Sequence, residues 1–471
     1  MLMDELQTSF EALQKDIRSG PIVPQVSLDE IRGHLCSRYG FDKAMDLADV
    51  VADVERMLRE WQVQVTHPRY LGLFNPSVTF ASVMADTLVA MYNPQLANWR
   101  TAPAANEIER HTLQWLAQKF GLSKDSIGVF TSGGMEANHS AVVCGLTHKF
   151  PRYGEDGLRT FNGQPTIYLT REAHHGYYKI AHATGIGRRA VRVVETDGRL
   201  RMDVGDLMKQ IEIDRDHGLA PFMVVGTAGT TATGVIDPLR EIAACCHAQD
   251  LWFHVDAAWG GAAILSPELK PYLAGIESAD SITCDAHKWF SVPMGAGMFF
   301  CQHEEMVHRA FRADETYLSR RDCDSGVNPL ACSMQWSRRF IGLKLFLALA
   351  QHGETGYRDM IEHQTAMGDL LRRSLQNSGW VVLNDTPLPL VCFTRERLDV
   401  KRFLQQLHLQ QIAWMSPVTV RGREAVRACI TSFRTSDRDV LEIVEKMNEL
   451  ATRCLLSQST NSAVSTPASI L

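Results

Sequence analysis

Long apolar runs are missing from this chain. No stretch of about eighteen consecutive apolar residues occurs among its 471 residues, so no membrane-spanning helix is expected. The N-terminus, Met1-Leu-Met-Asp4-Glu5, lacks a basic segment followed by an apolar one, and no secretory signal is expected. A large charge of one sign is absent too. The formal net charge is −6, which offers no footing for nucleic acid. Eleven cysteines are present, an odd number, scattered without zinc-ligand spacing. They read as reduced thiols of a cytoplasmic protein, not as a disulfide framework, and no metal site is expected. What is there is ordinary for a globular enzyme: 45% hydrophobic and 22% charged residues, in a chain long enough for one large core or two to three domains.

The first 79 residues read as a helical segment. Apolar side chains at Phe41, Met45, Ala48, Val51, Val54, Leu58 and Trp61 repeat at the helical period, predicting a helix over 41–61. That stripe packs either on the chain's own core or on a second subunit. Helices are also predicted over 1–20 and 80–91, and from Pro103, which suits a first helical turn. From residue 124 the pattern alternates. Strand-like runs at 127–131, 166–170, 190–195, 222–227, 251–255, 281–284 and 297–301 are mostly separated by helical stretches. Seven apolar strands interleaved with helices predict an α/β fold: a seven-stranded, mostly parallel sheet covered on both faces, within a large domain over 80–355. Residues 302–335 are polar, too long for an ordinary connection, and read as a lid. A small α+β domain is expected over 356–455, and a disordered tail over 456–471, where small polar residues dominate.

Two strand ends carry the most telling chemistry. The run 251–255 leads to Asp256, and the run 281–284 leads to Asp285-Ala-His287-Lys288-Trp289. Thirty-two positions separate Asp256 from Lys288, room for one crossover between neighbouring parallel strands. A lysine and an aspartate so placed suit pyridoxal phosphate (PLP): the lysine forms a Schiff base, and the aspartate keeps a proton on the pyridine nitrogen. Alone, each could be an ordinary surface lysine or helix-capping aspartate. Other strand ends add weight. Ser132-Gly133-Gly134 opens a helix, where backbone N–H groups suit a phosphate. His174, in Ala173-His174-His175, could stack on a flat ring. Thr231, in a threonine-rich turn, could meet ring substituents. Ligands of parallel sheets sit at the carboxyl ends of strands, and all these groups fall there.

The set His67-Pro-Arg-Tyr70, Ala102-Pro-Ala-Ala105, Ser132-Gly-Gly-Met135-Glu-Ala137, Ala173-His174, Ala228-Gly-Thr-Thr231, His254-Val-Asp256-Ala-Ala-Trp259-Gly-Gly261 and Asp285-Ala-His-Lys288-Trp289 resembles the group II PLP-dependent amino-acid decarboxylases, the family of aromatic-amino-acid and glutamate decarboxylases. The similarity spans about residues 66–435. It implies a fold type I, aspartate aminotransferase-like PLP-dependent transferase fold, and a homodimer with active sites at the subunit interface. It makes Lys288 the Schiff-base lysine, Asp256 the pyridinium partner and His174 the ring-stacking histidine. Ser132, Gly133, Gly134, Asp285 and His287 fall at phosphate-side positions, with Thr231 and Ala258 also at the cofactor. Tyr317 matches a loop tyrosine that serves protonation of the α-carbon. Arg427 falls near where relatives hold the substrate carboxylate. Met135 departs from the pattern, standing where a Ser or Thr hydroxyl is usual.

The implied reaction is decarboxylation of an L-amino acid to a primary amine and carbon dioxide. Tyr70, Leu71, Phe74 and Trp99 lean towards an aromatic or large aliphatic substrate, while Arg69 and Arg100 would suit an acidic one. Alternatives are an oxidative aldehyde synthase or a carbon–carbon lyase of the same fold, and, from another class, a catalytically silent PLP-fold binding protein.

Overall fold

The computed structural model describes residues 2–311 and 328–463. Two compact units divide the chain. One comprises 78–365 with 384–390; the other comprises 1–77, 366–383 and 391–471.

The larger unit is built on seven strands: β1 (Ile127–Thr131), β2 (Pro165–Thr170), β3 (Val191–Val194), β4 (Ala220–Thr227), β5 (Trp252–Asp256), β6 (Ser281–Asp285) and β7 (Gly297–Cys301). Each falls within two residues of its predicted start and end. Their spatial order is β1-β7-β6-β5-β4-β2-β3. β7 runs antiparallel to both β1 and β6, and the remaining neighbours are parallel. The carboxyl ends of β1, β2, β4, β5 and β6 therefore share one edge. Helices cover both faces, as near-continuous apolar strands require. Ile127 and Val129 of β1 join the core cluster that holds Ala137, Ala141 and Val142 of the helix Gly134–Lys149. Between them Gly128 points the other way, where a Cβ would come within 2.8 Å of Leu113 on the helix Pro103–Phe120. The alternation of strand side chains thus sorts one strand between two helical layers.

The smaller unit has a four-stranded sheet in the order β10-β11-β9-β8, from β8 (Val381–Val382), β9 (Leu390–Thr394), β10 (Ser416–Val420) and β11 (Arg423–Cys429). Its core includes Leu71, Leu375, Trp380, Phe393, Phe403 and Ile443.

Three expectations need correction. The N-terminal segment is not a division of its own but belongs to the same unit as the C-terminal sheet. Long-range polar contacts join them: the Gln411 side-chain carbonyl accepts from the Ile22 and Val23 N–H groups (2.8 and 3.0 Å), and Asp439 accepts from Arg18 (2.9 Å) and Arg69 (3.3 Å). The helix predicted over 41–61 begins only at Leu47, because the Asp46 carboxylate caps it by accepting from the Ala48 and Asp49 N–H groups. The final helix, Asp437–Ala463, runs into the stretch expected as a disordered tail, since neither Gly nor Pro intervenes before Pro467. In the region read as a lid, Glu304–Phe311 is helix, and 312–327 lies outside the described residues.

Asp439 gives the smaller unit a measurable pH dependence. Burial alone would raise its pKa, but the Ser436 hydroxyl (2.6 Å) and N–H, with Arg18 and Arg69, outweigh burial and hold it below the usual value. A carboxyl depressed on folding contributes stability above its unfolded pKa of about 3.9, and that stability is lost as pH falls through the folded value. Asp439→Asn should therefore cost roughly 2–4 kcal/mol in chemical denaturation at about pH 7, with the gap to the unsubstituted protein closing below about pH 3.5. A gap that stays constant across that range would contradict this account.

Candidate active site

Adjacent strands β5 and β6 end in Asp256 and Asp285, both nearly inaccessible to solvent. The turn after β6 brings Lys288 back beside its own strand end, with Nζ 2.9 Å from Asp285 Oδ2. Burial works against the ammonium, but Asp285 and Asp256 more than offset it, and the lysine pKa lies above its ordinary value. His287 accepts from the Ala296 N–H at Nδ1 (3.0 Å), so its ring proton sits on Nε2, 3.8 Å from Asp285 Oδ2. Burial lowers the His287 pKa, with Asp285 opposing.

The Gly-Gly turn after β1 lies against this pair. A Cβ on Gly134 would come within 2.8 Å of Asp285 Oδ2 and 3.4 Å of Ala258 Cβ, and one on Gly133 within 3.4 Å of His287 Cε1. Glycine here is a matter of space: Gly133 is extended, with φ at 167°. Gly134 opens the sixteen-residue helix Gly134–Lys149, whose first N–H groups have no intrahelical acceptor. Glu136 shapes the turn by accepting from both the Ser132 N–H (2.8 Å) and the Ser132 hydroxyl (2.7 Å). The Ser132 hydroxyl, expected at a phosphate, is thus engaged by a carboxylate one turn on.

Asp256 is held on both oxygens. Oδ1 accepts from the Ala258 N–H (3.1 Å) and Oδ2 from the Asn138 amide (2.9 Å). One N–H donor on each oxygen fixes the rotation of this carboxylate. The Tyr177 phenol is fully buried, and burial together with Asp256 raises its pKa. His174 accepts from the Gly176 N–H at Nδ1 (3.1 Å), leaving its proton on Nε2. Burial lowers the His174 pKa, Asp256 works against this, and Lys288 reinforces it, so the ring stays neutral. A Cβ on Gly176 would lie 2.1 Å from Met135 Sδ and 2.6 Å from His174 Nδ1. The methionine that departs from the family pattern is thus seated on a glycine beside the histidine.

The structure therefore gathers Gly133, Gly134, His174, Asp256, Ala258, Asp285, His287 and Lys288 at one sheet edge. Thr231 is exposed in the loop after β4. Tyr70, Leu71, Phe74, Arg69 and Arg427 belong to the smaller unit, and Trp99 and Arg100 to the larger. Leu71 is fully buried in that unit's core, so its side chain packs rather than lining a pocket. Tyr70 stacks on Trp414 with ring centres 5.1 Å apart. Arg427 donates to the Gly72 carbonyl (2.6 Å), with its guanidinium 4.7 Å from the Phe74 ring centre. Arg69, weighed for an acidic substrate, pairs with Asp439 and Glu442. Tyr317 lies outside the described residues. Sequence reasoning gave no role to Asn138 or His254. The signal for His254 was its spacing: two residues before Asp256, on the same face of β5.

These residues fit pyridoxal phosphate. A lysine stands beside a buried aspartate, a second carboxylate accepts one N–H on each oxygen, and the glycine cradle opens a helix whose N-terminus attracts phosphate. Fold and site together define a fold type I PLP-dependent enzyme. Residues 38–396 match the pyridoxal-dependent decarboxylase conserved domain, and the chain belongs to that family of PLP-dependent amino-acid carboxy-lyases. It is 27% identical over 454 residues to an aromatic-L-amino-acid decarboxylase of Bacillus atrophaeus, covering 94% of this chain and 93% of that one. It is 31% identical over 358 residues to an L-2,4-diaminobutyrate decarboxylase of Acinetobacter baumannii, covering 72% and 68%. In fold it is similar to the crystal structure of Oryza sativa TDC with PLP and tryptamine, with a TM-score of 0.89, 22% identity and 96% coverage of both chains.

Gly134→Ala tests the cradle. Its Cβ would displace the Asp285 carboxylate, and the dissociation constant for PLP should rise roughly tenfold. An unchanged constant, read by fluorescence titration of the cofactor-free protein, would contradict the placement.

Proposed function

We propose that this decarboxylase acts on an aromatic or large aliphatic L-amino acid, releasing the primary amine and carbon dioxide, with Lys288 as the residue that carries the cofactor. The observation that carries this reading is the Lys288–Asp285 contact of 2.9 Å beside Asp256, which accepts one N–H on each oxygen. When bound, PLP supplies an electron-accepting ring that takes up the electrons of the broken bond to the carboxyl group. The chain's residues do the rest. Asp285 holds the Lys288 proton at Nζ. Asp256, oriented by Asn138 and the Ala258 N–H, presents its carboxylate to a protonated ring nitrogen. Neutral His174 offers a flat face that does not repel a cationic ring. Arg427, buried beside Phe74, is the proposed anchor for a substrate carboxylate, and Tyr317 the proposed proton donor to the α-carbon. The aromatic lean is supported by the half-buried Phe74 ring and by the full-length similarity to the Bacillus enzyme; Arg69, engaged by two acids, weakens the case for an acidic substrate. The similarity to a diaminobutyrate decarboxylase supports a basic substrate as the second reading.

The test is a panel of common L-amino acids with the PLP-loaded protein, following carbon dioxide, amine, aldehyde and peroxide together. Amine and carbon dioxide in equal amounts from aromatic substrates are expected, and Lys288→Ala should lose at least a thousandfold of that rate while remaining folded. Turnover of diaminobutyrate alone would favour the second reading, peroxide with aldehyde an oxidative reaction, and retained turnover in Lys288→Ala would remove the lysine from the mechanism.

Two further proposals concern context. Leu47, Val51, Val54 and Leu58 form an exposed apolar stripe at helical spacing on Leu47–Glu60, which supports a homodimer through this face. Sedimentation should give twice the chain mass, and Leu47→Glu with Val51→Glu should lower it; a single-chain mass for the unsubstituted protein would contradict the dimer. That the described residues form no disulfide supports a cytoplasmic location, which fractionation of the source cell would check.

A further inference from the structure

Behind Asp256 lies a second layer of buried polar side chains that the chemistry above does not use. Trp252, His254 and Asp256 alternate along β5 and so share one face. His254 stands in register with Ser281 on β6. Asn138 meets them from the helix Gly134–Lys149. All four side chains behind the carboxylate are essentially inaccessible to solvent. Their contacts form one chain. The Trp252 indole nitrogen lies 2.8 Å from Ser281 Oγ, which lies 2.8 Å from His254 Nδ1; His254 Nε2 lies 3.1 Å from Asn138 Oδ1, and Asn138 Nδ2 lies 2.9 Å from Asp256 Oδ2. Thr283 Oγ1 lies 3.5 Å from the same His254 nitrogen.

The direction of this chain is fixed from both ends. An indole N–H can only donate and a carboxylate can only accept. Asp256 therefore demands the NH2 of Asn138, which turns Asn138 Oδ1 towards His254. With the amide oxygen of Asn138 facing it, His254 carries a proton on Nε2; its Nδ1 lies 2.8 Å from the Ser281 hydroxyl, which can donate to it, and 3.1 Å from the Ser281 carbonyl, and the hydroxyl oxygen accepts from Trp252. Every donor finds an acceptor in this arrangement. Reversing Asn138 would set its amide oxygen against the Asp256 carboxylate, and moving the His254 proton to Nδ1 would set a bare ring nitrogen against that amide oxygen. Burial keeps His254 neutral, its pKa lowered to about 4 with Asp256 opposing, so the single ring proton persists at ordinary pH.

We propose that Trp252, Ser281, His254 and Asn138 act as a polarised relay that orients the Asp256 carboxylate towards the cofactor's ring nitrogen. They are positioning residues, acting through Asp256, and the inference rests on Asp256 being the partner of that nitrogen. The relay takes one lone pair of Oδ2 along a fixed direction and fixes the rotation of the carboxylate. Orientation of the carboxylate is felt at the ring nitrogen it faces.

The cofactor itself offers the test. The affinities of the cofactor-free protein for PLP and for 1-deazapyridoxal phosphate, which lacks the ring nitrogen, are compared by titration. The ratio of the two constants reads only what acts on that nitrogen. Asn138→Leu and His254→Phe keep the volume and remove the relay. Each should shrink the preference for PLP by about tenfold, while leaving the constant for the analogue within about twofold. Trp252→Phe, which removes only the first donor, should shrink it less and serves if either inner variant fails to fold. An unaltered preference in the relay variants, or equal weakening of both ligands, would overturn the relay. Asp256→Asn separates the two claims. If it abolishes the preference while the relay variants keep it, only the relay fails. If it leaves the preference intact, the role of Asp256 itself fails.

Discussion

Two buried carboxylates at the ends of neighbouring parallel strands are the constraint on which this molecule depends. Charge in a protein interior is costly unless it is compensated, and compensation is geometric. Asp285 is met by the Lys288 ammonium at 2.9 Å, and Asp256 by two N–H donors. Each carboxylate thereby specifies what stands around it. Asp285 requires a cation that a turn of three residues can return to it. Asp256 requires donors from the opposing helix and from its own strand end.

The sheet supplies the rest. Because β5 and β6 are adjacent and parallel, their ends lie at one edge, and the β1 glycine turn reaches the same edge through the antiparallel strand β7 between β1 and β6. Gly297 on β7 has no room for a side chain, since a Cβ there would lie 2.5 Å from Thr131 Oγ1 and 2.6 Å from Gly133. A cradle for an anion and a pair of carboxylates for a cation are thus set side by side by strand order. The asymmetry suits a cofactor with a phosphate at one end and a protonated nitrogen at the other, which is the cofactor of the family to which the chain belongs.

Much of this was legible in the sequence. The seven strands were readable because each is a short apolar run bounded by turn residues, and buried parallel strands carry that signature most strongly. Lys288, Asp256 and His174 were readable because each lies within four residues of the end of such a run. Less legible were features set by distant partners. Asp46 starts its helix later than the apolar periodicity alone implies, and Arg18 and Arg69 tie the N-terminal segment to Asp439 across most of the chain. Leu71 looked like a pocket residue because an irregular loop carries no periodicity to say which apolar side chains face a core. Asn138 and His254 were overlooked because a buried polar side chain has no local signature; its meaning lies in the partner it meets.

The claim at the centre of this account is that Lys288 alone carries the cofactor. It is tested most directly by loading the protein with PLP, reducing it with borohydride so that the cofactor stays on the lysine that holds it, and mapping the labelled peptide by mass spectrometry. The account predicts one label per chain, on Lys288 in the peptide containing Asp285-Ala-His287-Lys288-Trp289. Stoichiometric label on any other lysine, with Lys288 unmodified, would contradict it.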